Sequence, residues 1–232
     1  MKVFGYTTSG PRKNNEDYFA IENIGESDFY CVADGVGGSL CGEFASKFCV
    51  ETFVNNIKLS ETPNLRSILQ TVNEKLILES LHKKECKGMA TTFTGVYIKE
   101  SFVQFIHTGD SRLYLLRGNG LKQLTTDHTE VRRLLNEGLL TREQSGEYSR
   151  KNVLESALGS ERELKIDYYW FEYQSKDRLV ISTDGFHGIL TKVELRDLSI
   201  VNSDFDSLCS VLVNSLIKRP LIDNATFVIV EL

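Results

Sequence analysis

The chain has 232 residues, of which 41% are hydrophobic and 10% aromatic, and carries a formal charge of −5 from 27 Lys and Arg against 32 Asp and Glu. That composition supports one sizeable core and excludes global disorder, while the acidic balance leaves no cationic face for nucleic acid. The longest apolar run is Phe29 to Ala33, far short of the roughly 20 residues that span a bilayer, and the amino-terminal Met1-Lys2-Val3-Phe4-Gly5 lacks the apolar stretch of a leader. Cys31, Cys41, Cys49, Cys86 and Cys209 form an odd set without C-x-x-C spacing, in apolar surroundings. They read as reduced structural thiols of a soluble, cytoplasmic protein with no membrane contact.

In chain order, runs rich in Val, Ile, Phe, Tyr and Thr predict strands at Lys2 to Thr8, Tyr18 to Ile24 and Phe29 to Ala33. Apolar residues at helical spacing follow, first Phe44, Phe48, Cys49, Thr52, Phe53 and Ile57, then Leu65, Ile68, Leu69, Val72, Leu76 and Leu81. Thr62 as cap and Pro63 in the first turn predict the start of the second helix. Further strands are predicted at Thr91 to Ile98, Phe102 to Thr108, Arg112 to Arg117, Leu164 to Tyr173, Arg178 to Ser182 and Ala225 to Leu232. Capping-box spacing at Thr141-x-x-Gln144, Thr191-x-x-Glu194 and Ser203-x-x-Asp206 predicts three later helix starts.

Strands that follow one another directly are not the regular alternation of a parallel sheet. They predict an α+β layered sandwich, antiparallel sheets with helices stacked outside. Only three prolines occur and no Gly/Ser-rich stretch could serve as a linker, so residues 1–232 are expected to form a single domain.

The acidic residues fall in an informative pattern. Asp34, Asp110 and Asp184 each close a predicted strand, and Asp223 precedes the last one. A carboxylate at the end of a buried strand is costly unless a cation or several N–H donors meet it, and four could share hard divalent ions. Asp34-Gly35 and Asp184-Gly185 allow sharp turns, and the bare Gly35 carbonyl could approach a metal. Taken singly, each Asp-Gly is more often a turn than a ligand, Asp110 could cap the turn into Arg112, and Asp223 could form an Asx-turn. Arg12 offers a guanidinium suited to a phosphate, with Asp17 five residues on, although taken alone that segment reads more readily as a polar surface loop. His82, His107, His128 and His187 show no paired ligand spacing, Ser39 and Ser182 lack a G-x-S-x-G context, and no cysteine has an arginine at +6. Zinc, serine-nucleophile and thiol-phosphatase chemistry are therefore unsupported.

Seven ordered motifs together resemble the PP2C-type metal-dependent protein serine/threonine phosphatases in their compact bacterial form. They are Arg12-Lys13-Asn14-Asn15-Glu16-Asp17, Val32-Ala33-Asp34-Gly35-Val36-Gly37-Gly38, Gly88-Met89-Ala90-Thr91-Thr92, Gly109-Asp110-Ser111-Arg112-Leu113-Tyr114, Leu124-Thr125-Thr126-Asp127-His128-Thr129, Ser182-Thr183-Asp184-Gly185 and Asp223-Asn224-Ala225-Thr226. The resemblance implies a four-layer α-β-β-α sandwich, two antiparallel sheets flanked by helix pairs, with a flap at about 127–159 beside the site. It implies two core Mn²⁺ or Mg²⁺ ions, bridged by Asp34, with the Gly35 carbonyl on one and Asp184 and Asp223 on the other. Asp17, with Glu16, would anchor waters, Arg12 would bind the substrate phosphate, and Asp110 would serve a third, weaker ion. The implied reaction is hydrolysis of phosphoserine and phosphothreonine in proteins by direct attack of a metal-bridging water, reversing a bacterial Ser/Thr kinase, by a monomer.

Three positions depart from the family pattern. Val36 replaces a histidine proposed elsewhere as general acid, Ala90 stands where glycine is usual, and Glu155-Ser156 stands where Thr-Arg is commoner. A catalytically silent phosphoprotein-binding regulator of the same fold is the alternative, and a small-molecule phosphate hydrolase a third. A silent relative would be expected to lose Asp34, Asp184 or Asp223, and all three are present.

Overall fold

The computed structural model describes residues 1–36 and 40–232; Gly37 and Gly38 of the second motif, and Ser39, lie outside the described residues. Among the described residues eleven strands pair antiparallel into two sheets. One runs β1 (Lys2–Thr8), β11 (Ala225–Glu231), β10 (Arg178–Ser182), β7 (Arg112–Arg117), β8 (Gly120–Gln123). The other runs β2 (Asp17–Ile24), β3 (Ser27–Val36), β5 (Phe93–Lys99), β6 (Phe102–Thr108), β9 (Asp167–Glu172), with β4 (Ala90–Thr91) added beside β3.

Alternation along the strands builds three apolar layers. Tyr30, Val32, Val96, Ile98, Leu113, Leu179, Ile181, Val228 and Val230 fill the space between the sheets. Phe29, Cys31 and Phe93 point the other way, onto α1 (Leu40–Lys58) and α2 (Leu65–His82), where Phe53, Ile57, Leu69 and Leu76 meet them. On the opposite side Tyr114, Val180, Phe227 and Ile229 pack against α7 (Phe205–Lys218), α6 (Lys192–Val201) and the single-turn α5 (Asp184–His187). The result is the expected α-β-β-α stack. Among the described residues no helix is long and apolar enough to cross a membrane.

Some boundaries differ from expectation. The cap of α2 is Asn64, whose side chain accepts the Ser67 N–H at 3.0 Å, so Thr62 and Pro63 precede the helix. The cap of α7 is Asp204 rather than Ser203, accepting from Ser207 N–H at 2.9 Å. An asparagine two residues on from Thr62, or an aspartate one residue on from Ser203, is at least as good an acceptor and stands nearer the apolar run. The capping boxes at Thr141 and Thr191 form as read. Strand β8 was not predicted: Gly-Leu-Lys-Gln has little β propensity and is a strand because the turn at Gly118-Asn119 folds it onto β7. The cysteine reading is corrected in part. Cys41 and Cys86, 45 positions apart, form a disulfide that ties the start of α1 to the chain just before β4, whereas Cys31, Cys49 and Cys209 are free and buried.

Candidate metal centre

The register of β2 on β3 sets Asp17 directly opposite Asp34. Two like charges facing each other across a ladder repel, so the pairing invites a cation. The Asp34 backbone cannot yield: its N–H donates to Thr92 Oγ1 at 2.9 Å, and its carbonyl accepts from the Thr92 N–H at 2.9 Å and Thr91 Oγ1 at 3.0 Å. Asp110 sits in the turn between β6 and β7, Asp184 opens α5 directly beyond β10, and Asp223 lies just before β11. Because β11, β10 and β7 are antiparallel neighbours in one sheet and β3 lies in the other, the end of β10, the starts of β11 and β7 and the end of β3 come to the same edge, and these turns meet. One cavity of about 700 Å³ is lined by Arg12, Glu16, Asp34, Gly35, Asp110, Asp184 and Asp223.

Asp17 does not line it. Buried at 6% exposure, it accepts from Thr183 Oγ1 at 2.8 Å, and its other oxygen, Oδ1, has no hydrogen-bond partner among the described residues. Among the described residues no group of three or more His, Cys, Asp or Glu already forms a finished metal cage. The carboxyl groups have close neighbours: the Asp184 carboxyl stands near enough to Asp34 to raise it, and Asp223 meets the Arg12 guanidinium at 2.8 Å.

The electrostatics follow from crowding. Burial lifts Asp17 to about 7, aided by the charges of Asp184 and Asp223 and opposed by the hydroxyls of Thr226 and Thr183. Burial also raises Asp34 well above the usual carboxylate range, with Asp17, Asp184 and Asp110 adding to it. Asp110 rises to about 7 through burial and then Asp184, and Asp184 itself is raised by burial and Asp223. Groups that raise one another in this way share one poorly solvated space, the electrostatic mark of a functional site.

The two Asp-Gly steps are not the sharp turns expected of them. Gly35 lies inside β3, and a Cβ there would stand 2.1 Å from the Gly42 carbonyl oxygen of α1; Gly185 lies in α5, where a Cβ would stand 1.8 Å from the Asn224 carbonyl oxygen. Both glycines allow backbones to close on the aspartate beside them. Gly185→Ala is therefore expected to force β11 and α5 apart, at about 1–3 kcal/mol and a fall of several degrees in Tm. Gly146→Ala, in helix α4 with open space around it, is the control expected to hold or slightly raise Tm in the same thermal melt.

Sequence reasoning assigned no role to Asn224 or Thr183. The Asn224 side-chain amide donates to the Ser9 and Asn14 carbonyls at 2.9 and 3.0 Å, and its oxygen accepts the Glu16 N–H at 2.8 Å. It thereby pins the loop that carries Arg12 to the start of β11. Their only signal in the sequence was adjacency to Asp223 and Asp184. The segment 127–159 contains α3 (Glu130–Asn136) and α4 (Arg142–Glu147), neither of which buries a residue. Its Asn152, Val153, Leu154 and Ala157 form another wall of the cavity. Glu155 accepts from Arg133 at 2.6 Å, and Ser156 Oγ bonds Thr108 Oγ1 at 2.9 Å, so the pair that departs from the family pattern braces the base of this segment.

Residues 5–221 match the family model described as Protein phosphatase 2C. The chain is 31% identical over 231 residues to the serine/threonine phosphatase stp of Listeria welshimeri, covering 95% of this chain and 91% of that one. It is 31% identical over 204 residues to protein phosphatase PhpP of Streptococcus pneumoniae, covering 83% and 80%. The serine/threonine phosphatase of S. agalactiae superimposes with a TM-score of 0.89 at 25% identity, covering 98% of each chain. With the sandwich, the ordered motifs and the acidic cavity already in place, these likenesses make the chain a member of the protein phosphatase 2C family and a bacterial protein serine/threonine phosphatase.

Proposed function

We propose that residues 1–232 act as one catalytic unit that removes phosphate from phosphoserine and phosphothreonine in other proteins, reversing a Ser/Thr kinase. Asp34, Asp184, Asp223, Asp17 and the Gly35 carbonyl would hold two Mn²⁺ or Mg²⁺ ions, and Asp110 a third, weaker one. What supports this above all is the convergence of Asp34, Asp110, Asp184 and Asp223 on one cavity with Arg12 at its rim. The donor set is all oxygen, which suits hard divalent ions, and the partnerless Asp17 Oδ1 and mutually raised carboxyl groups call for positive charge. Protein phosphatase 2C enzymes are metal-dependent as a family.

Bound there, such ions supply an acidified water and neutralise charge on the phosphoryl group. The chain's own residues do the rest. Asp34, whose backbone Thr91 and Thr92 fix, would bring its carboxylate to the ions at the cavity wall. Arg12, whose side chain is 56% exposed, presents a planar fork that matches two phosphoryl oxygens. Its pairing with Asp223 is an exposed ion pair worth little, so exchange for a phosphate dianion costs little. The 127–159 segment acts as the flap against which a substrate peptide lies. Val36, exposed in the cavity, has no proton to give, so the leaving alkoxide must take one from water. The silent-regulator alternative is disfavoured, since binding without turnover would not need this many carboxylates in one desolvated space.

The test is turnover of phosphothreonine peptides, nucleotides and an aryl phosphate with Mn²⁺ or Mg²⁺, and with chelator as control. Peptide hydrolysis that chelator abolishes and that exceeds nucleotide hydrolysis is expected; chelator-insensitive turnover would sink the reading. Without a general acid, kcat on the aryl phosphate should exceed kcat on phosphoserine peptide by at least about tenfold.

A further inference from the structure

No side chain of the motif Leu124 to Thr129 has been given a role above, yet its one histidine is bonded through its backbone and both ring nitrogens. Asp127 anchors it: Arg112 donates to both carboxylate oxygens, at 2.9 and 2.6 Å, fixing the segment to β7. Beyond it, the His128 N–H donates to the Gly109 carbonyl at 2.7 Å, and the Gly109 N–H donates back to His128 Nδ1 at 3.3 Å. With Nδ1 accepting, the ring proton sits on Nε2, which faces Asp167 Oδ2 on β9 at 3.3 Å. That bond, foremost, holds Asp167 below the usual carboxylate range. The His128 ring packs against His107 with centroids 4.9 Å apart. His107 is itself pinned between Thr94 Oγ1 at 2.8 Å and the Thr126 carbonyl at 3.1 Å.

What these contacts hold is the turn that presents Asp110. Gly109 takes φ +105°, and a Cβ there would stand 2.6 Å from Thr92, so the turn has no room to drift toward β4 and β5. The Asp110 carbonyl accepts from His187 Nε2 at 3.2 Å, and Ser111 Oγ bonds Thr92 Oγ1 at 2.7 Å. Of these constraints only His128 ties the turn outward, to β9 through Asp167 and to the flap through the Glu155 N–H, which donates to the His128 carbonyl at 2.8 Å.

We propose that His128 is a positioning residue for Asp110: its Nδ1 lone pair, aimed at the Gly109 amide by Asp167, sets the turn from which Asp110 offers its carboxylate to the third ion. This rests on the assignment of Asp110 to that ion. Residues that orient a ligand typically cost 10–100-fold in metal affinity when lost. The role belongs to one nitrogen, which makes it separable from simple packing. In His128→Asn the side-chain oxygen stands where Nδ1 stood and can accept from Gly109; in His128→Gln the amide reaches Asp167 instead and the acceptor is lost.

The experiment titrates Mn²⁺ into wild type, Asp110→Ala, His128→Ala, His128→Asn and His128→Gln by calorimetry and by the spectrum of free Mn²⁺. Exchange of the Gly109 amide and kinetics on an aryl phosphate are followed in parallel. His128→Ala and His128→Gln are expected to weaken the weakest site by about tenfold or more, leave the stronger sites, speed Gly109 exchange, and lower kcat with KM within about twofold. His128→Asn should recover most of each. In the Asp110→Ala background, His128→Ala should lower kcat no further. Equal behaviour of the Asn and Gln variants, or unchanged weak-site affinity in both Ala and Gln, overturns the role of His128. If His128→Ala does not fold, the Asn and Gln pair decides. Retention of the weak site in Asp110→Ala overturns the assignment of Asp110 itself, and this inference with it.

Discussion

Asp34→Asn is expected to abolish metal-dependent hydrolysis, by at least about a thousandfold in kcat, while the protein keeps its fold and its metal-free stability. Asp34 faces Asp17 across the ladder and has Asp184 and Asp110 beside it, so its carboxyl is the one around which these acidic groups gather. An amide is nearly isosteric and leaves the backbone bonds to Thr91 and Thr92 in place. What it removes is the negative charge that would hold two cations side by side. The same substitution relieves repulsion among groups whose neutral forms burial already favours. The metal-free variant should therefore melt at or above the wild-type temperature. More than a tenth of the wild-type Mn²⁺-dependent rate in the pure variant would show that the site is wrongly assigned, and a collapsed circular dichroism spectrum would show that Asp34 is structural.

The second large effect is on stability. In the metal-free protein Asp17 and Asp110 hold their protons to about pH 7, against 3.8 for an ordinary carboxyl. As pH rises through 3.8 the unfolded chain releases these protons first while the folded chain still binds them, so stability falls across pH 4 to 7 and levels off above. Each group carries up to about 4 kcal/mol. Asp127 and Asp167, held low by Arg112 and His128, act in the opposite sense only under about pH 4. His107 and His187, which burial lowers to about 4, oppose the fall between pH 4 and 6.5 and leave a shallower net slope set by the four raised aspartates. The chelated protein is thus expected to have a higher Tm at pH 5 than at pH 8. Excess Mn²⁺, which binds ionised carboxylates, should raise Tm at pH 8 far more than at pH 5 and reverse the slope. Asp110→Ala should flatten the metal-free slope. A chelated protein most stable at pH 8 would contradict the burial of these two groups.

Much of this protein was legible locally. The limits of β1, β6, β7 and β10 follow from runs of β-branched and aromatic residues, and the capping boxes at Thr141 and Thr191 from short-range hydrogen bonding. The ordered motifs marked Arg12 and the five aspartates because residue types at strand ends are visible in one dimension. Where strands end is less so: β3 continues through Asp34 to Val36 because β4 and the Glu16 carbonyl supply partners from elsewhere in the chain.

Propensity and polar spacing thus determined the layers, the helix starts at Thr141 and Thr191 and the identity of the acidic residues. Only the tertiary structure decided that Asp17 stands opposite Asp34, that Gly35 and Gly185 serve close backbone approach, that Cys41 reaches Cys86, and that His128 grips the turn before Asp110. The reason is distance along the chain. A cap or a strand is settled by neighbours a few residues away, whereas a ladder register or a meeting of turns is settled by partners tens to hundreds of residues apart, whose positions exist only once both sheets have closed on a common core.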